Sequence, residues 1–207
     1  MLNKIHAYLG LVLVLPLFVW AVTGLVFLIK PGYDNAFETL SIAKSSYVNP
    51  IQLRPHAHWQ KLSFVQSNLG AHLLVTTSQG QNLHLHPSTL LPFPLPNEHQ
   101  LSQLYTAATQ HNRSRYGEFK SFETNETQIQ ILTTTGIELL LDWSTLRLTQ
   151  SGKDTQLIDR LYRMHYLQWS PNIKMNMAIA FLAIVGLLIM CFVGLRLLIR
   201  FHHREQL

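Results

Sequence analysis

The chain has 207 residues, of which 47% are hydrophobic and only 13% are charged, and its formal net charge is +5. A soluble domain typically carries about 25% charged residues, so this composition excludes a disordered or strongly solvated chain. The single cysteine excludes an intrachain disulfide framework and any zinc or iron–sulfur site built from several cysteines. The length allows one ordinary domain and an additional part.

Two segments without a charged residue lie near the two ends of the chain. The first runs from Ala7 to Ile29 and the second from Met175 to Leu195. As a helix the first segment is about 34 Å long, which is enough to cross a hydrocarbon core of about 30 Å. The pattern predicts transmembrane helices within residues 1–30 and 171–201. No small-x-small cleavage site follows the first segment, so it is predicted to be a retained anchor.

The distribution of charge predicts the orientation of this helical hairpin. Residues 31–174 contain eleven Lys or Arg and ten Asp or Glu, whereas Lys4, Arg196, Arg200 and Arg204 cluster at the outer ends of the helices. The positive-inside rule places both termini, including the tail at 202–207, in the cytoplasm. In a bacterium this makes the chain a multi-pass inner-membrane protein with a periplasmic domain at 31–154. The sequence has no basic stripe interleaved with aromatic residues, so nothing in it indicates nucleic-acid binding.

The middle of the chain contains a repeat. Residues 75–90 align with residues 131–146 at a constant offset of 56, and the matches include Thr77 with Thr133, Gly80 with Gly136 and the Ser-Thr-Leu triplet that ends each copy. Each copy predicts a strand, a glycine-containing turn, a second strand and a second turn. The whole repeat is expected to cover about 57–93 and 98–150.

Other patterns complete the predicted fold. Helices are predicted at His58–Asn68 and Glu98–His111, and a strand at Tyr116–Thr124, so the domain is expected to be α+β with antiparallel sheet. Residues 155–170 have apolar side chains at three- and four-residue spacing. Their Tyr and Trp content predicts an amphipathic helix at the bilayer interface, with packing on the sheet as the alternative.

Three short motifs resemble the PepSY-associated transmembrane (PepSY-TM) proteins of bacteria. Residues 5–11, followed by the Thr23-Gly24 pair, are similar to that family's opening helix, where a His precedes an aromatic-Leu-Gly run. Residues 139–145 are similar to the strand and Asp-x-x-Thr turn that end a PepSY module. Residues 161–167 are similar to the Leu-His-aromatic run before a closing membrane helix. The resemblance implies a PepSY-like sheet-plus-helix extracytoplasmic domain between the membrane helices.

The sequence departs from the family pattern in three ways. Leu146 stands where the family has Gly after the Asp-x-x-Thr turn, and in the first copy His86 stands where the module has Asp. Larger members of the family carry four membrane helices, whereas this chain has two. Functions that need four helices in one chain are therefore not implied.

The resemblance also nominates histidines, of which the chain has eleven. Some relatives are haem-binding reductases of iron–siderophore complexes, which makes His6 and His165 candidate ligands of haem b. In a hairpin these two residues lie on opposite sides of the membrane and cannot ligate one iron. His202 and His203 are weaker same-side candidates for His6, and His165 would need a second subunit. The alternative is that both histidines are interfacial packing residues.

A second group of histidines lies on predicted strands. His84 and His86 alternate on one strand, and a three-residue hairpin loop would bring His72 opposite His86. Three imidazoles on one sheet face would suit Zn²⁺ or Cu²⁺. An exposed strand face would show the same alternation.

Two functions are compatible with these observations. The first is a non-catalytic periplasmic binding or assembly module within a larger membrane complex. The second is a haem-bearing electron-transfer subunit of a ferric-siderophore or iron reductase system. No flavin, nicotinamide or hydrolase motif is present, so the chain is not expected to be an enzyme by itself. Small residues such as Gly10, Gly24 and Gly186 predict that the helices associate with another copy or another membrane protein. The other expected partners are the lipid bilayer and a periplasmic protein or peptide.

Overall fold

The computed structural model describes residues 2–42 and 56–205, with side chains described up to His202. The chain divides into two compact units. A helical unit comprises residues 1–32 and 156–207, and an α+β domain comprises residues 33–155.

The helical unit contains the two apolar helices that the sequence predicts. Helix α1 covers Leu2–Ile29 and helix α6 covers Ile173–Glu205. Both are long and apolar enough to cross a membrane, and their large side chains, such as Phe18 and Phe181, are mostly exposed. Helices with this composition all round are suited to lipid.

Small residues allow α1 and α6 to approach each other. A Cβ atom added to Gly194 would lie 3.1 Å from His6 Cε1, and one added to Gly186 would lie 3.6 Å from Leu13 Cδ1. The Sδ atom of Met190 is 4.0 Å from the corresponding position at Gly10. Along these contacts the residue number rises in α6 as it falls in α1, so the two helices are antiparallel.

A shorter helix precedes α6. Helix α5 covers Lys153–His165 and therefore ends five residues before residue 170, where the sequence pattern predicted its end. The Gln168 N–H donates to the Arg163 carbonyl at 2.8 Å, and the Leu167 N–H donates to the Met164 carbonyl at 3.2 Å. Leu167 has a φ of 54°. This is a Schellman termination with leucine at the left-handed position that glycine usually occupies.

The α+β domain contains two antiparallel sheets whose strands pair in chain order. The first sheet contains β1 (Trp59–Ser67), β2 (Gly70–Thr77) and β3 (Asn82–Leu85), and the second contains β4 (Phe119–Asn125), β5 (Gln128–Thr133), β6 (Glu138–Asp142) and β7 (Arg147–Ser151). The helices are α2 (Tyr33–Ala36), α3 (Glu98–Thr109) and α4 (Arg113–Tyr116), with the 3₁₀ turn Gln110–Asn112 between the last two. Two apolar helices thus flank, in sequence, an α+β domain with antiparallel sheets, which confirms this part of the predicted fold class.

The repeat is present in the structure. In the first copy the Gly80 N–H donates to the Thr77 carbonyl at 2.9 Å, and in the second the Gly136 N–H donates to the Thr133 carbonyl at 3.1 Å. The two glycines have φ values of 79° and 81°, which other residues rarely adopt. The shared glycine is therefore explained by the geometry of this turn.

The second turn of each copy is also equivalent. Leu90 and Leu146 have φ values of 57° and 54°. Leu146 thus occupies a backbone conformation suited to the glycine of the family pattern, and its side chain is buried in the core. Asp142 accepts hydrogen bonds from the backbone N–H and hydroxyl of Ser144, and in the first copy His86 Nδ1 bonds the Ser88 hydroxyl at 3.0 Å. His86 replaces the aspartate as the side chain that closes the turn.

The helix predicted at His58–Asn68 is wrong, because these residues form β1 and the turn after it. Trp59 pairs with Thr77, Leu62 with Val75 and Phe64 with Leu73, so the three apolar residues share one face. Their spacing of three and then two arises from a bulge between Trp59 and Lys61. A bulge inserts one residue and shifts the alternation of the strand, so the step of three residues from Trp59 to Leu62 imitates a helical spacing.

The helix predicted at Glu98–His111 is confirmed as α3 and the 3₁₀ turn. The Asn97 side chain accepts from the Gln100 N–H at 2.9 Å, and the Gln100 side chain accepts from the Asn97 N–H at 3.0 Å. This reciprocal capping box fixes where α3 begins. The predicted strand at Tyr116–Thr124 is β4, which begins at Phe119 because Tyr116 ends α4. Leu101 and Leu104 of α3 pack with Ile131 and other residues of the second sheet in the main core.

Candidate functional site

His165, the last residue of α5, is held against α1. Its backbone carbonyl accepts from Trp20 Nε1 at 2.7 Å, and its Nδ1 lies 2.8 Å from Thr23 Oγ1. The ring stands edge-on to Phe27 at 5.0 Å, and a Cβ atom added to Gly24 would lie 4.0 Å from its Cε1. The Thr23-Gly24 pair of the first motif therefore receives the histidine of the third.

The contact with Thr23 sets the tautomer of His165. The Thr23 hydroxyl donates to the Val19 carbonyl at 2.6 Å, so its oxygen accepts from the Nδ1–H of His165. The lone pair of the neutral ring then belongs to Nε2, and no residue in the described part of the chain hydrogen-bonds that nitrogen. His165 is thus oriented as a ligating histidine would be.

His6 lies at the other end of α1. Its ring packs on the backbone of Gly194, and its Nδ1 is buried without a hydrogen-bond partner among the described residues. Thr23 lies seventeen positions after His6 in α1, which corresponds to about 25 Å along the helix. His6 and His165 therefore do not face a common iron. His202 lies in the described part of α6, whereas the side chain of His203 lies outside the described residues.

The small residues of the helices are used inside the chain. Gly10, Gly186 and Gly194 contact α6 or α1, and Gly24 contacts His165. Within the described residues of the helical unit, no second histidine lies near His165 to complete a bis-histidine haem. His165 and His6 as haem ligands stay a prediction. Association with a second copy stays a prediction.

His72 and His84 form a buried pair between the two sheets. The His72 ring is fully buried, and its Nδ1 lies 2.9 Å from His84 Nε2, while its Nε2 lies 2.6 Å from Ser67 Oγ. Phe93 stacks on His84 with ring centroids 4.9 Å apart, and Trp143 lies 4.7 Å from the same ring. The order Ser67, His72, His84 resembles a catalytic relay, but all three side chains are buried and closed to a substrate.

Burial determines the charge of this pair. Desolvation, with smaller contributions from the charges of His84 and His86, lowers the pKa of His72 to about 4. Desolvation also lowers the pKa of His84 to about 4, against an opposing interaction with the backbone of Trp143. Both rings are therefore neutral at neutral pH.

The third histidine of the candidate metal site lies apart from this pair. His86 bonds Ser88 at the exposed turn after β3 and stacks on Phe93 at 5.8 Å. Within residues 2–42 and 56–202, no three His, Cys, Asp or Glu side chains are placed to hold a metal ion. The structure thus brings His72 and His84 together but does not complete a Zn²⁺ or Cu²⁺ site with His86.

A polar network missed by the sequence analysis joins the segments where the chain enters and leaves the α+β domain. The Tyr116 hydroxyl donates to Glu38 Oε2 at 2.6 Å, and His111 Nε2 lies 2.5 Å from Glu38 Oε1. Gln150 donates to the carbonyls of Asn35 and Glu38 at 3.0 and 3.1 Å. No motif marks these residues, because their partners lie up to 115 positions apart.

The network shifts several pKa values. Burial raises the pKa of Glu38, but hydrogen bonds from Tyr116 and His111 outweigh this effect and leave it below the ordinary value. Burial and the hydrogen bond to Glu38 raise the pKa of Tyr116 well above its usual range. Arg115 Nη1 bonds Asp154 Oδ2 at 2.6 Å, which lowers the pKa of that carboxyl. The ends of the domain are thus tied by ionised groups.

The open edge of the second sheet adjoins a polar groove on α3. The chain itself covers two other sheet edges, since Leu40 bridges Leu148 beside β7 and Pro92 bridges Leu85 beside β3. In the described residues, the backbone of β4 pairs only with β5. A groove of about 560 Å³ lies between α3 and the start of β4, and a second of about 500 Å³ continues along α3. Ser102, Thr106 and Gln110 line both grooves.

The fold and these sites define a class of membrane protein in which two apolar helices flank an α+β domain with a duplicated strand–turn–strand unit. The histidine of its juxtamembrane helix α5 rests on the Thr-Gly pair of the first membrane helix. The chain belongs to the PepSY-associated TM region family, whose model matches residues 3–206. No curated protein and no solved structure matches the chain significantly.

Proposed function

We propose that this protein is a non-catalytic binding module that the two helices anchor in the bacterial inner membrane, with its α+β domain in the periplasm. The observation that carries the proposal is the open edge of β4 beside the groove on α3. An unpaired strand edge offers backbone donors and acceptors to an extended segment of another protein, and a flanking groove accepts its side chains. Assembly within a larger membrane complex is part of the same proposal.

The test is site-specific photocrosslinking in cells. A photoreactive amino acid at Glu123, an exposed position of β4, should give a crosslinked product of defined mass. The same group at Arg147, an exposed position of β7 beside the bridged residue Leu148, should not. Thr106→Arg, which fills the groove from an exposed position of α3, should remove the product. Equal products from both positions, or none from Glu123, would contradict the proposal.

The second candidate is a haem-bearing electron-transfer subunit. The observation in its favour is the orientation of His165, whose Nδ1 is engaged by Thr23 while Nε2 remains available. The described residues bring no second histidine to His165, so this candidate function includes a second copy or another subunit as the source of the other axial ligand. Haem would supply one-electron transfer to ferric iron, and the electrons would come from a partner protein.

A visible absorption spectrum of the purified full-length protein separates the two candidates. The binding module predicts no Soret band. The electron-transfer subunit predicts a Soret band that is lost in His165→Ala and retained in His99→Ala, since His99 is exposed on α3 of the α+β domain.

A further inference from the structure

We propose that the end of α5 and its connection to α6, residues 162–172, are inserted into the lipid of the leaflet at the C-terminal end of α1. The surface formed by Met164, Tyr166 and Trp169 then contacts acyl chains and headgroups. This inference does not depend on the proposed binding function, because it rests only on the helical unit.

The contacts along α1 give the depth of the segment. Tyr162 stacks on Phe27 with ring centroids 4.4 Å apart, and three residues later His165 contacts Thr23 and Trp20. The end of α5 thus runs back along α1, away from Ile29. Thr23 lies six residues before Ile29, so His165 reaches about 9 Å below the end of α1. This is the depth to which interfacial amphipathic helices bury their apolar face, about 5–10 Å.

The contacts between α1 and α6 indicate the same depth for the end of α5. The antiparallel contacts of His6 with Gly194 and of Leu13 with Gly186, when continued along both helices, place Asn176 and Met177 beside Thr23 and Gly24. Met177 is 69% exposed and belongs to the apolar segment of α6. The end of α5 is therefore level with a part of α6 that faces lipid.

Several backbone groups at this level have partners within the chain. Trp20 Nε1 satisfies the carbonyl of His165, and the Schellman turn satisfies those of Arg163 and Met164. The Asn176 side chain accepts from the N–H of Ser170 at 2.9 Å and donates to its carbonyl at 2.7 Å. Such pairing is required where water cannot replace the hydrogen bonds.

The exposed side chains fit a lipid interface. Tyr166 is 60% exposed, Trp169 55% and Ile173 74%. They continue into the exposed apolar surface of α6, and Tyr and Trp are enriched at the interface between membrane and water. Arg160 and Arg163 are exposed on α5, and their long side chains can reach the headgroups. The continuity with a lipid-facing surface indicates lipid as the occupant of this surface.

Spin-label accessibility in the full-length protein, reconstituted in phosphatidylcholine vesicles, tests the inference. In a Cys191→Ala background, labels at Tyr166→Cys and Trp169→Cys should be accessible to oxygen and protected from a water-soluble nickel chelate, as a label at Met177→Cys should be. A label at Gln156→Cys, an exposed position nearer the start of α5, is the matched control and should be accessible to the chelate.

Two outcomes would overturn the inference. Chelate accessibility at Tyr166→Cys and Trp169→Cys equal to that at Gln156→Cys would place the segment in water. Protection from both reagents would show that a protein partner covers it. As a second measurement, Trp20→Phe removes the bond to the His165 carbonyl and should raise chelate accessibility at Tyr166→Cys several-fold, whereas Trp59→Phe should not. The labels in the Trp20-containing protein decide the inference even if Trp20→Phe does not fold.

Discussion

Acidification should destabilise the α+β domain through the buried pair His72 and His84. Each ring has its pKa lowered to about 4, against an ordinary value of 6.5, so the unfolded state binds more protons between these limits. Stability from the neutral rings is therefore fully present above pH 6.5 and is lost as the pH falls from 6.5 toward 4. At pH 5 the loss is about 2 kcal/mol for one ring.

The two rings share a hydrogen bond and titrate as a coupled pair. The expected loss for the pair between pH 7.5 and pH 5 is therefore between about 2 and 4 kcal/mol, a large part of the stability of a typical domain. Neither ring has a carboxylate partner in the described structure that would offset a buried positive charge.

Urea unfolding of the full-length protein in detergent, followed by tryptophan fluorescence at pH 7.5 and pH 5, measures this loss. Trp143 lies 4.7 Å from His84 and reports the state of the pair. In the variant His72→Gln/His84→Gln the two substituted side chains cannot be protonated. On acidification its free energy of unfolding should therefore fall by at least about 2 kcal/mol less than that of the unsubstituted protein. His58→Gln, at an exposed histidine, should behave like the unsubstituted protein. An unchanged pH dependence in the double variant would refute the reasoning.

Three further results are expected. Tyr116→Phe removes a hydrogen bond to an ionised carboxylate and should lower the free energy of unfolding by about 2 kcal/mol. His111→Gln, at the half-exposed partner of the same carboxylate, should lower it by less than about 1 kcal/mol. Urea titration compares the two variants, and equal losses would contradict a dominant role of the buried hydroxyl. Gly194→Leu places side-chain atoms where the His6 ring lies and should lengthen the α1–α6 distance measured by pulsed EPR between labels at Leu11 and Ile189, while Ala178→Leu on the exposed face should leave it unchanged. In intact spheroplasts, a membrane-impermeant thiol reagent should label Gln79→Cys but not Asn3→Cys in a Cys191→Ala background, and the reverse pattern would contradict the proposed orientation.

The parts of the fold that depend on composition and on local turns could be predicted from the sequence. Long uncharged segments have few alternatives to membrane helices, and Gly80 and Gly136 mark turns that need a positive φ. The strand β1 could not be recognised, because its bulge separates Trp59 from Leu62 by three residues, which is a spacing that a helix also produces. The end of α5 could not be predicted either, because the left-handed position that ends the helix is occupied by Leu167 and not by the glycine that usually marks it.

The candidate sites, like the fold, could be predicted only in part from the sequence. The motifs indicated that His165 and the Thr23-Gly24 pair matter, but only the fold shows that they contact each other. The pairing of His72 with His84 depends on a diagonal contact between β2 and β3 rather than on strand alternation alone. The network of Glu38, Tyr116 and Gln150 depends on tertiary contacts between distant segments, for which one sequence carries no local signal.

That network has a mechanical consequence. Asn35, Glu38, Gln150 and Thr155 lie within a few residues of the two points where the α+β domain joins the rest of the chain, and hydrogen bonds link the two strands of chain directly. A force that pulls these two points apart is therefore borne first by Gln150, Tyr116 and Thr155. Tension between the helices would therefore break these hydrogen bonds, at the entry and the exit of the domain, before the rest of the domain unfolds.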